Sequence, residues 1–377
     1  MYNFQESKLG PGFAQDQLTD FKKMIAASSS FTLTSMPGVG ASYFLKYLTT
    51  TNLAFFIHID LYLLPTLSLH EFYRLLHREV GGKVGPKTDE QVFLETKNIL
   101  KNYAQKHDKV VVVFSRFDQL KKELDANFLS NLQSLTTIAP GKIVLIFTAI
   151  KPLHELSPDA ITGGNLTFYS KILYFKPYSK KDLKKLLKIE PEQLAPGVDL
   201  DKLLELSGGH NQLLHILLNS QKQQNLLLDK FVKLQLKELV DYLDYTQKKQ
   251  VQKIALRQAQ GYNFGEIDEY LLGVGMVKKE GSKYQLFTPL LAEYIKTNLP
   301  VKLPVKEKAL FNLLRKNTGK VVSKDEIFSG VWGEDQENAT NWALDALVYR
   351  LRKHPFITSH GYIIESHKKV GYTLITS

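Results

Sequence analysis

The segment Ser35–Ser42 has the residue types and spacing of a loop that binds phosphate. A short β-rich run precedes it, Gly38 and Gly40 lie within it, and Ser42 opens a helical pattern. Glycines in such a loop let backbone N–H groups approach phosphate oxygens, a lysine reaches the β- and γ-phosphates, and a hydroxyl group binds magnesium. The lysine position is Ala41, and a serine replaces the first glycine. The layout of a nucleotide site is therefore present without its main positive charge.

The acidic pair that ATP hydrolysis requires is also missing. In proteins with this loop, a buried strand is followed by acidic residues that bind magnesium and orient the attacking water. Here the apolar run Val110–Phe114 is followed by Ser115 and Arg116, and Asp118 is displaced along the chain. Thr148 ends the next apolar run, at a polar sensor position.

Three interpretations of the loop follow: an active ATPase site, a site that binds nucleotide without hydrolysis, or a tight turn that binds nothing. Because the lysine and both acids are missing together, charge stabilisation, metal binding and water activation are lost at once. We therefore predict no catalytic residue, no enzymatic activity and no cofactor. If ATP does bind, the expected contacts are Gly38, Gly40, Ser42, Asp118 and Thr148.

A second group of candidate functional residues lies near the C-terminus. The pattern from Thr340 to Lys353 predicts a helix with one apolar face and an opposite face that carries donors and cations. Two β-rich runs follow, joined by the basic tip Ser366–Lys369. Such a helix fits the major groove of DNA, while a lysine-bearing hairpin can lie against phosphates nearby. A helix face that is merely solvated, in a module that binds protein, is the alternative.

The phosphate loop needs a sheet to position it. From Ser30 to Phe175, short β-rich runs alternate with helical patterns, which is typical of an α/β domain with a parallel sheet. The predicted strands are Phe31–Thr34, Ala54–Asp60, Val110–Phe114, Ile143–Thr148 and Ile172–Phe175, and the predicted helices include Leu69–Val80, Gln91–Lys106 and Asn127–Leu135.

The pattern changes after this P-loop-like sheet. It is purely helical from Lys180 to about Val240, which predicts a helical subdomain. A helix, a hairpin with Gly281 at its turn and a further helix then predict a winged-helix-like unit. Prolines mark Asn298–Pro304 as a linker. The predicted domains are an α/β domain at 1–178, a lid at 179–240, and two winged-helix (α+β) domains at 241–298 and 303–377.

The last of these domains has clear helix signals. A helix follows Pro304, and Ser323–Glu326 is a capping box that opens a second helix. Phe328 and Trp332 are predicted to lie in its core. Three helices and a terminal hairpin make a winged helix.

The composition of the chain narrows the expected class of partner and the expected cellular compartment. The chain has 49 Lys and Arg against 38 Asp and Glu, and its net charge of +11 favours an anionic partner. It has no cysteine, which excludes disulfides and thiolate metal sites. No signal-peptide pattern and no apolar run of the roughly 18 residues of a membrane span occur, so we expect a cytoplasmic protein without membrane contact. No metal site is predicted, because a third ligand is missing from the pairs His58 with Asp60, His70 with His77, and His210 with His215.

The C-terminal segment resembles the DNA-binding domain of OmpR/PhoB-type response regulators. The resemblance rests on Gly319–Ile327, Val331–Gly333, Asp345 with Arg350–Lys353, and Val370–Leu374. It implies that Arg350, Arg352 and Lys353 clamp the DNA backbone and that the groove-facing residues are Asn341, Trp342, Asp345 and Tyr349. The wing residues His367, Lys368 and Lys369 complete the predicted DNA-binding set.

This face departs from the family in being less polar. The family often has a further cation at the position of Tyr349, and Trp342, Ala343 and Ala346 add apolar surface. The expectation from sequence is recognition of DNA shape and backbone more than base sequence.

The N-terminal part resembles the AAA+/STAND ATPases, a group that includes archaeal ATPases and origin-recognition proteins. Besides the loop, the resemblance rests on Leu173–Tyr178 as the strand-to-lid junction and on Leu206–Leu214 as the start of a lid helix. Because the lysine and both acids are missing, we expect a catalytically degenerate module of this type.

The sequence thus predicts a DNA-binding protein, a transcription regulator on double-stranded DNA, whose inactive ATPase-like module serves assembly or partner sensing. The alternatives are a scaffold whose winged helices bind protein, with self-association or a protein partner, and an ATP-dependent DNA-associated switch of the origin-recognition type.

Overall fold

The computed structural model describes residues 5–83, 85–189, 199–220, 225–257, 266–281, 283–298, 303–333, 339–354, 357, 362–368 and 370–376. The chain divides into two compact units. The first comprises Met1–Tyr242 and Asp268–Val277, and the second comprises Leu243–Ile267 and Lys278–Ser377. The bounds of the four predicted domains stay predictions, and residues 299–302 of the predicted linker lie outside the described residues.

Helices and strands alternate in the first unit. They are α1 (Gln15–Ala26), β1 (Phe31–Ser35), α2 (Ala41–Thr49), β2 (Phe55–Asp60), α3 (Leu69–Glu79), α4 (Asp89–Lys106), β3 (Val110–Ser115), α5 (Ala126–Ser134), β4 (Ile143–Ala149), α6 (Leu153–Leu156), α7 (Gly164–Tyr169) and β5 (Ile172–Phe175). Four helices follow: α8 (Lys180–Ile189), α9 (Leu200–Ser207), α10 (Asn211–Asn219) and α11 (Lys230–Asp241). The predicted strands and helices agree closely with these bounds.

Within the described residues, β1 to β5 form one parallel sheet in the order β2-β3-β4-β1-β5. β1 lies between β4 and β5, where Leu33 is paired with Thr148 on one side and Leu173 on the other. Every residue of β3 is buried, since helices cover both faces of the sheet, and this explains its continuous apolar run. The predicted α/β parallel-sheet fold is confirmed, and the carboxyl ends of β3, β4 and β1 meet at one edge.

Local signals define the helices that cover the sheet. Ser68 caps α3, and Thr88 with Gln91 forms a complete capping box at the start of α4. In the buried core, the ring of Phe72 on α3 packs against the rings of Phe114 on β3 and Phe128 on α5. These helices are thus packed onto the sheet through a buried aromatic cluster.

One segment that is distant in sequence also belongs to the first unit. The short helix at Glu269–Gly273 packs against β5, and the Tyr270 hydroxyl donates a hydrogen bond of 2.5 Å to the carbonyl of Ile150. The nearly buried Lys151 ammonium lies 4.1 Å from the centre of the Tyr270 ring and 5.8 Å from that of Tyr242. Cation–π contact and this hydrogen bond fasten the segment just beyond β4.

The second unit begins with α12 (Tyr245–Arg257); the short helix of the first unit is α13 in chain order. It continues with β6 (Val277–Glu280), which starts at the unit boundary, β7 (Lys283–Leu286) and α14 (Pro289–Asn298). β6 and β7 form a two-stranded sheet, and Gly281 between them has a positive φ of +60°, as the predicted hairpin turn requires. The winged-helix-like unit predicted for residues 241–298 stays a prediction.

The C-terminal part of this unit is a winged helix. Its elements are α15 (Val305–Lys316), β8 (Val322–Ser323), α16 (Lys324–Trp332), α17 (Asn341–Lys353), β9 (Tyr362–His367) and β10 (Gly371–Thr376). The described strands pair in the order β8-β10-β9, antiparallel throughout. The predicted capping box at Ser323 is formed, and Trp332 is buried in the core with Phe328 packed beside it. Among the helices of the described residues, none is long and apolar enough to cross a bilayer.

Candidate functional site

The loop between β1 and α2 lies at the carboxyl edge of the sheet. It runs from the end of β1 at Ser35 to the start of α2 at Ala41. Gly38 and Gly40 have φ values of +74° and +103°, which side chains rarely adopt, so both positions require glycine. The N–H groups of Ala41 and Ser42 lie in the first turn of α2 and have no acceptor within that helix. The loop thus has a backbone shape that can present N–H groups to an anion.

A cavity of about 450 Å³, here called the loop cavity, opens beside this loop. The loop, the residues that follow β3, the end of β4 and the start of α10 line it. The structure brings together here all the residues of the predicted nucleotide set, Gly38, Gly40, Ser42, Asp118 and Thr148. Their contact with a nucleotide stays a prediction.

The N-terminus of α10 is docked directly on the loop. The backbone N–H of Gln212 donates to the carbonyl of Gly38 at 3.0 Å, and that of Asn211 points to the carbonyl of Val39 at 3.4 Å. A Cβ on Gly38 would lie 2.1 Å from Oε1 of Gln212, and one on Gly40 would lie 2.9 Å from Cβ of Asn211. The glycines therefore also make room for the lid helix.

His210 fastens this contact. It is fully buried, its Nε2 lies 2.7 Å from the carbonyl oxygen of Pro37, and its Nδ1 accepts the N–H of Leu213 at 3.2 Å. Only a neutral ring with the proton on Nε2 satisfies both partners. Burial lowers the pKa of His210 to about 4, which keeps the ring neutral. His210 thus caps α10 and ties it to the loop, a role that sequence reasoning missed when it considered this residue as a metal ligand.

Tyr178 also connects the loop to the residues that precede α10. Its hydroxyl donates to the carbonyl of Gly40 at 2.9 Å, and its backbone N–H donates to the carbonyl of Gly209 at 2.9 Å. Gly209 has φ +93°, and a Cβ there would lie 2.3 Å from the Tyr178 carbonyl oxygen. The Gly-Gly-His run before α10 is the sequence signal that could have identified this junction.

Ser115 and Arg116, which stand at the positions of the missing acids, contact neighbouring side chains. The Ser115 hydroxyl is hydrogen bonded to Nε2 of His58, and burial lowers the pKa of that histidine. Arg116 has a left-handed backbone, with φ +60°, and its guanidinium lies 3.4 Å from Asp60 and 4.8 Å from the centre of the Tyr62 ring. The edge after β3 is thus built as a hydrogen-bonded and ion-paired network.

Two predicted polar residues lie within the same edge. The Thr148 hydroxyl oxygen accepts the backbone N–H of Arg116 at 2.9 Å and so fixes the turn after β3. Asp118 is the acidic residue among those that line the loop cavity, and burial raises its pKa while the Arg116 charge opposes the rise. Among the described residues, no group of three or more acidic or histidine side chains is arranged to hold a metal ion.

The candidate nucleic-acid interface is the exposed face of α17. Trp342 is 80% exposed and Tyr349 is 57% exposed, with the half-buried Ala346 between them. These positions follow one another at four- and three-residue spacing, so they form a single stripe on the helix. Large aromatic side chains are thus presented outward on the helix that is predicted to enter the groove.

The polar residues of the predicted set are engaged within the domain. Nε of Arg350 lies 3.0 Å from the largely buried Glu307 carboxylate of α15, and Arg352 donates to the Ile364 carbonyl of β9 at 2.8 Å. Asp345 accepts the Tyr372 hydroxyl at 2.6 Å, and burial together with this carboxylate raises the pKa of Tyr372 to about 12. These contacts brace α17 against its neighbours.

The remaining predicted residues lie at the two ends of α17 and on the wing. Oδ1 of Asn341 accepts the Lys324 ammonium at 2.9 Å, and the Lys353 ammonium contacts the Tyr349 hydroxyl and ring. On the wing, the His367 ring is hydrogen bonded to Thr373. Lys368 is exposed, and Lys369 lies outside the described residues. The described members of the set thus lie on α17 and on the wing, and their contact with DNA stays a prediction.

Comparison with known proteins identifies the C-terminal part. Residues 298–374 match the family described as transcriptional regulatory protein, C terminal, which confirms the resemblance to OmpR/PhoB-type domains. The comparison with curated proteins gave no match. Among solved structures, the chain is similar to the ORC1 protein of Aeropyrum pernix in complex with DNA (TM-score 0.41, 12% identity, 98% of this chain and 91% of the other). It is also similar to a Walker-type ATPase of Pyrococcus abyssi (0.42, 16%, 78% and 95%) and to the RuvB branch migration motor of Thermotoga maritima (0.32, 14%, 78% and 99%).

Proposed function

We propose that this chain is a DNA-binding transcription regulator whose ATPase-like module does not hydrolyse ATP and serves assembly or the sensing of a partner. The observation that carries the proposal is the outward face of α17 beside a wing with an exposed lysine, in a segment that matches a family of transcriptional regulatory domains. Helix and wing in this arrangement suit the major groove and its flanking phosphates.

Charge supports a DNA partner. Residues 303–377 contain eleven Lys and Arg against eight Asp and Glu, a net charge of +3. Contacts between such cations and phosphates release counterions, so affinity falls steeply with salt.

The residues at the carboxyl edge of the sheet support the proposal that ATP is not hydrolysed. Ala41 brings no charge to the loop, the Ser115 hydroxyl is hydrogen bonded to His58, and Arg116 is paired with Asp60. A cation thus stands where hydrolysis needs a carboxylate for the metal and the attacking water.

The loop cavity supports a second candidate, a module that binds nucleotide without turning it over. Its volume of about 450 Å³ lies within the range of small-molecule sites. The loop amides and the N-terminus of α2 would supply the phosphate contacts.

DNA binding is tested with the full chain and a labelled duplex of about 30 base pairs, titrated between about 50 and 200 mM salt. We expect the binding constant to fall steeply with salt, and Lys368→Ala to reduce the slope of the log–log plot by about 1. Lys101→Ala, which removes an exposed lysine of α4, is the matched control and should leave the slope unchanged. Absence of binding at the lowest salt contradicts the proposal.

ATP chemistry is tested by titration of labelled ATP with and without magnesium, followed by a turnover assay. We expect no turnover in either condition. Turnover that Ser42→Ala or Asp118→Ala abolishes would establish the ATP-dependent switch in place of the inactive module.

A further inference from the structure

The outward stripe of α17 differs chemically from the rest of that face. The oxygen of Asn341 is taken by Lys324, a carboxylate oxygen of Asp345 by Tyr372, and the guanidinium of Arg352 by β9. No hydrogen bond of the Trp342 indole occurs among the described residues, and its ring is largely exposed. The apolar groups that the helix presents outward are an indole, a methyl group and a phenol ring, from Trp342, Ala346 and Tyr349.

The hydrogen-bonding groups are poorly placed to read bases. Bidentate recognition of adenine by asparagine needs both the oxygen and the nitrogen of the amide, and the Asn341 oxygen already accepts the Lys324 ammonium. A carboxylate recognises cytosine by accepting its amino group, and Asp345 is instead held towards β10 by the Tyr372 hydroxyl. These contacts make the apolar groups the part of this face that is best placed to contact bases.

The major groove offers one apolar group to such a stripe, the 5-methyl group of thymine. We propose that α17 recognises duplex DNA through thymine methyl groups, which pack against Trp342, Ala346 and Tyr349. This inference rests on the proposed DNA binding and adds its base preference. It also goes beyond the sequence-based expectation, which favoured DNA shape and backbone.

The charges around the stripe favour DNA over a protein partner as its occupant. Lys324 lies at its N-terminal end and Lys353 at its C-terminal end, and Lys368 is exposed on the wing. Cations at both ends of an apolar stripe suit the two phosphate backbones that border the floor of a groove.

The expected discrimination follows from the area that one methyl group buries. Burial of a methyl-sized group contributes about 0.8 kcal/mol, and a tenfold change in affinity corresponds to about 1.4 kcal/mol. Each methyl group that contacts the stripe should therefore change the affinity roughly fourfold.

The test compares alternating dA-dT and dA-dU duplexes with the full chain at one salt concentration, because uracil lacks only the 5-methyl group. We expect the thymine duplex to bind at least about fourfold more tightly. The double variant Trp342→Ala, Tyr349→Ala should bind both duplexes equally and keep the salt slope. Lys368→Ala is the control, and it should weaken both duplexes by the same factor.

Two further measurements test whether the stripe itself contacts DNA. Trp342 should become protected from acrylamide quenching when DNA binds, and Trp342→Phe should retain the preference for thymine because it keeps an apolar ring. Since Trp342 is largely exposed, these variants should also keep the thermal stability of the parent chain. Failure to bind any duplex contradicts the proposed function itself. Equal binding of thymine and uracil duplexes by the parent chain overturns this inference.

Discussion

The loop cavity and the outward face of α17 use their polar residues in different ways. Around the cavity, the N-terminus of α10 contacts the loop, and His210 bonds across that junction to Pro37 through Nε2 while its Nδ1 caps α10. On α17, Arg350, Arg352 and Asp345 are exposed but bond to neighbouring elements of the domain, and Trp342 and Tyr349 are exposed beside them. Polar side chains thus hold a junction together in one region and brace an exposed helix in the other.

The role of a polar residue at a position that a family uses for binding has to be inferred from its hydrogen-bond and ion-pair partners. Arg350 and Arg352 occupy positions that the resemblance gives to DNA contacts, yet each bonds within its own domain. Gly38 and Gly40 occupy phosphate-loop positions, yet they also accommodate the lid helix. Variants at these positions can separate the two uses.

The largest effect is expected at the lid junction, for Gly209→Ala. The new Cβ would lie 2.3 Å from the backbone oxygen of Tyr178, at a φ of +93° that disfavours any side chain. We expect a loss of about 4 kcal/mol in the free energy of unfolding, from a steric clash and backbone strain together. Urea unfolding followed by circular dichroism measures it.

Gly10→Ala is the matched control in the same unit. Gly10 also has a positive φ, +71°, but a Cβ there meets nothing within 4 Å. Strain alone should then cost about 1 kcal/mol. Equal losses for the two variants would contradict close packing of the lid junction on Tyr178.

A pH-dependent effect is expected from His210. Its pKa is about 4 in the folded chain, against an ordinary value of 6.5, because burial disfavours the charged ring. Between these values the unfolded chain binds a proton that the folded chain excludes, so stability is full above pH 6.5 and falls as the pH drops towards 4. Across this window we expect His210 to remove roughly 3 kcal/mol.

The measurement is urea unfolding at several pH values for the parent chain and for His210→Ala. The variant should lose about 3 kcal/mol above pH 6.5, through the lost cap and the unpaired Pro37 carbonyl, and its stability should fall less steeply towards pH 4. Subtraction of the two curves isolates His210 from other groups such as His58, whose pKa is also lowered. His154→Ala, at an exposed position, should leave the parent slope intact. A slope in His210→Ala as steep as that of the parent chain would contradict this assignment.

The periodic signals of the sequence were enough to predict most of the fold. Alternation of apolar runs with helical patterns predicted the parallel sheet, because a strand such as β3 that is buried on both faces must be apolar throughout. The capping box at Ser323 and the glycine turn at Gly281 are local signals and were confirmed. The association of Glu269–Gly273 with the first unit was missed, since its contact with Ile150 joins residues far apart in the chain.

The sites were only partly predictable, because contacts between residues far apart in the chain also decide which side chains are available. Loop residues that line one cavity were found from their spacing relative to strands that end at one edge. The partners of His210 and Arg350 were not, because Pro37 lies 173 residues from His210 and Glu307 lies 43 residues from Arg350. Which of several polar residues turns inward depends on such distant contacts.

A smaller effect, expected at Arg350, distinguishes bracing from DNA contact on α17. Arg350→Ala leaves the Glu307 carboxylate, 9% exposed, without the guanidinium that lies 3.0 Å away. We expect a loss of about 1 to 2 kcal/mol in the free energy of unfolding, which is the cost of leaving a largely buried charge without its partner. The slope of DNA affinity against salt should stay that of the parent chain, in contrast to Lys368→Ala, which should lower the slope without lowering stability.

The double variant Arg350→Ala, Glu307→Gln completes this test. If the arginine serves mainly to neutralise the carboxylate, replacing both charges should recover part of the stability, because the buried group is then neutral. If Arg350 instead contacts a phosphate, its removal should lower the salt slope by about 1 whether or not Glu307 is changed. Because stability and salt slope are measured separately, a reduced slope with unchanged stability would return Arg350 to the DNA-contact set and make the two regions more alike than their geometry indicates.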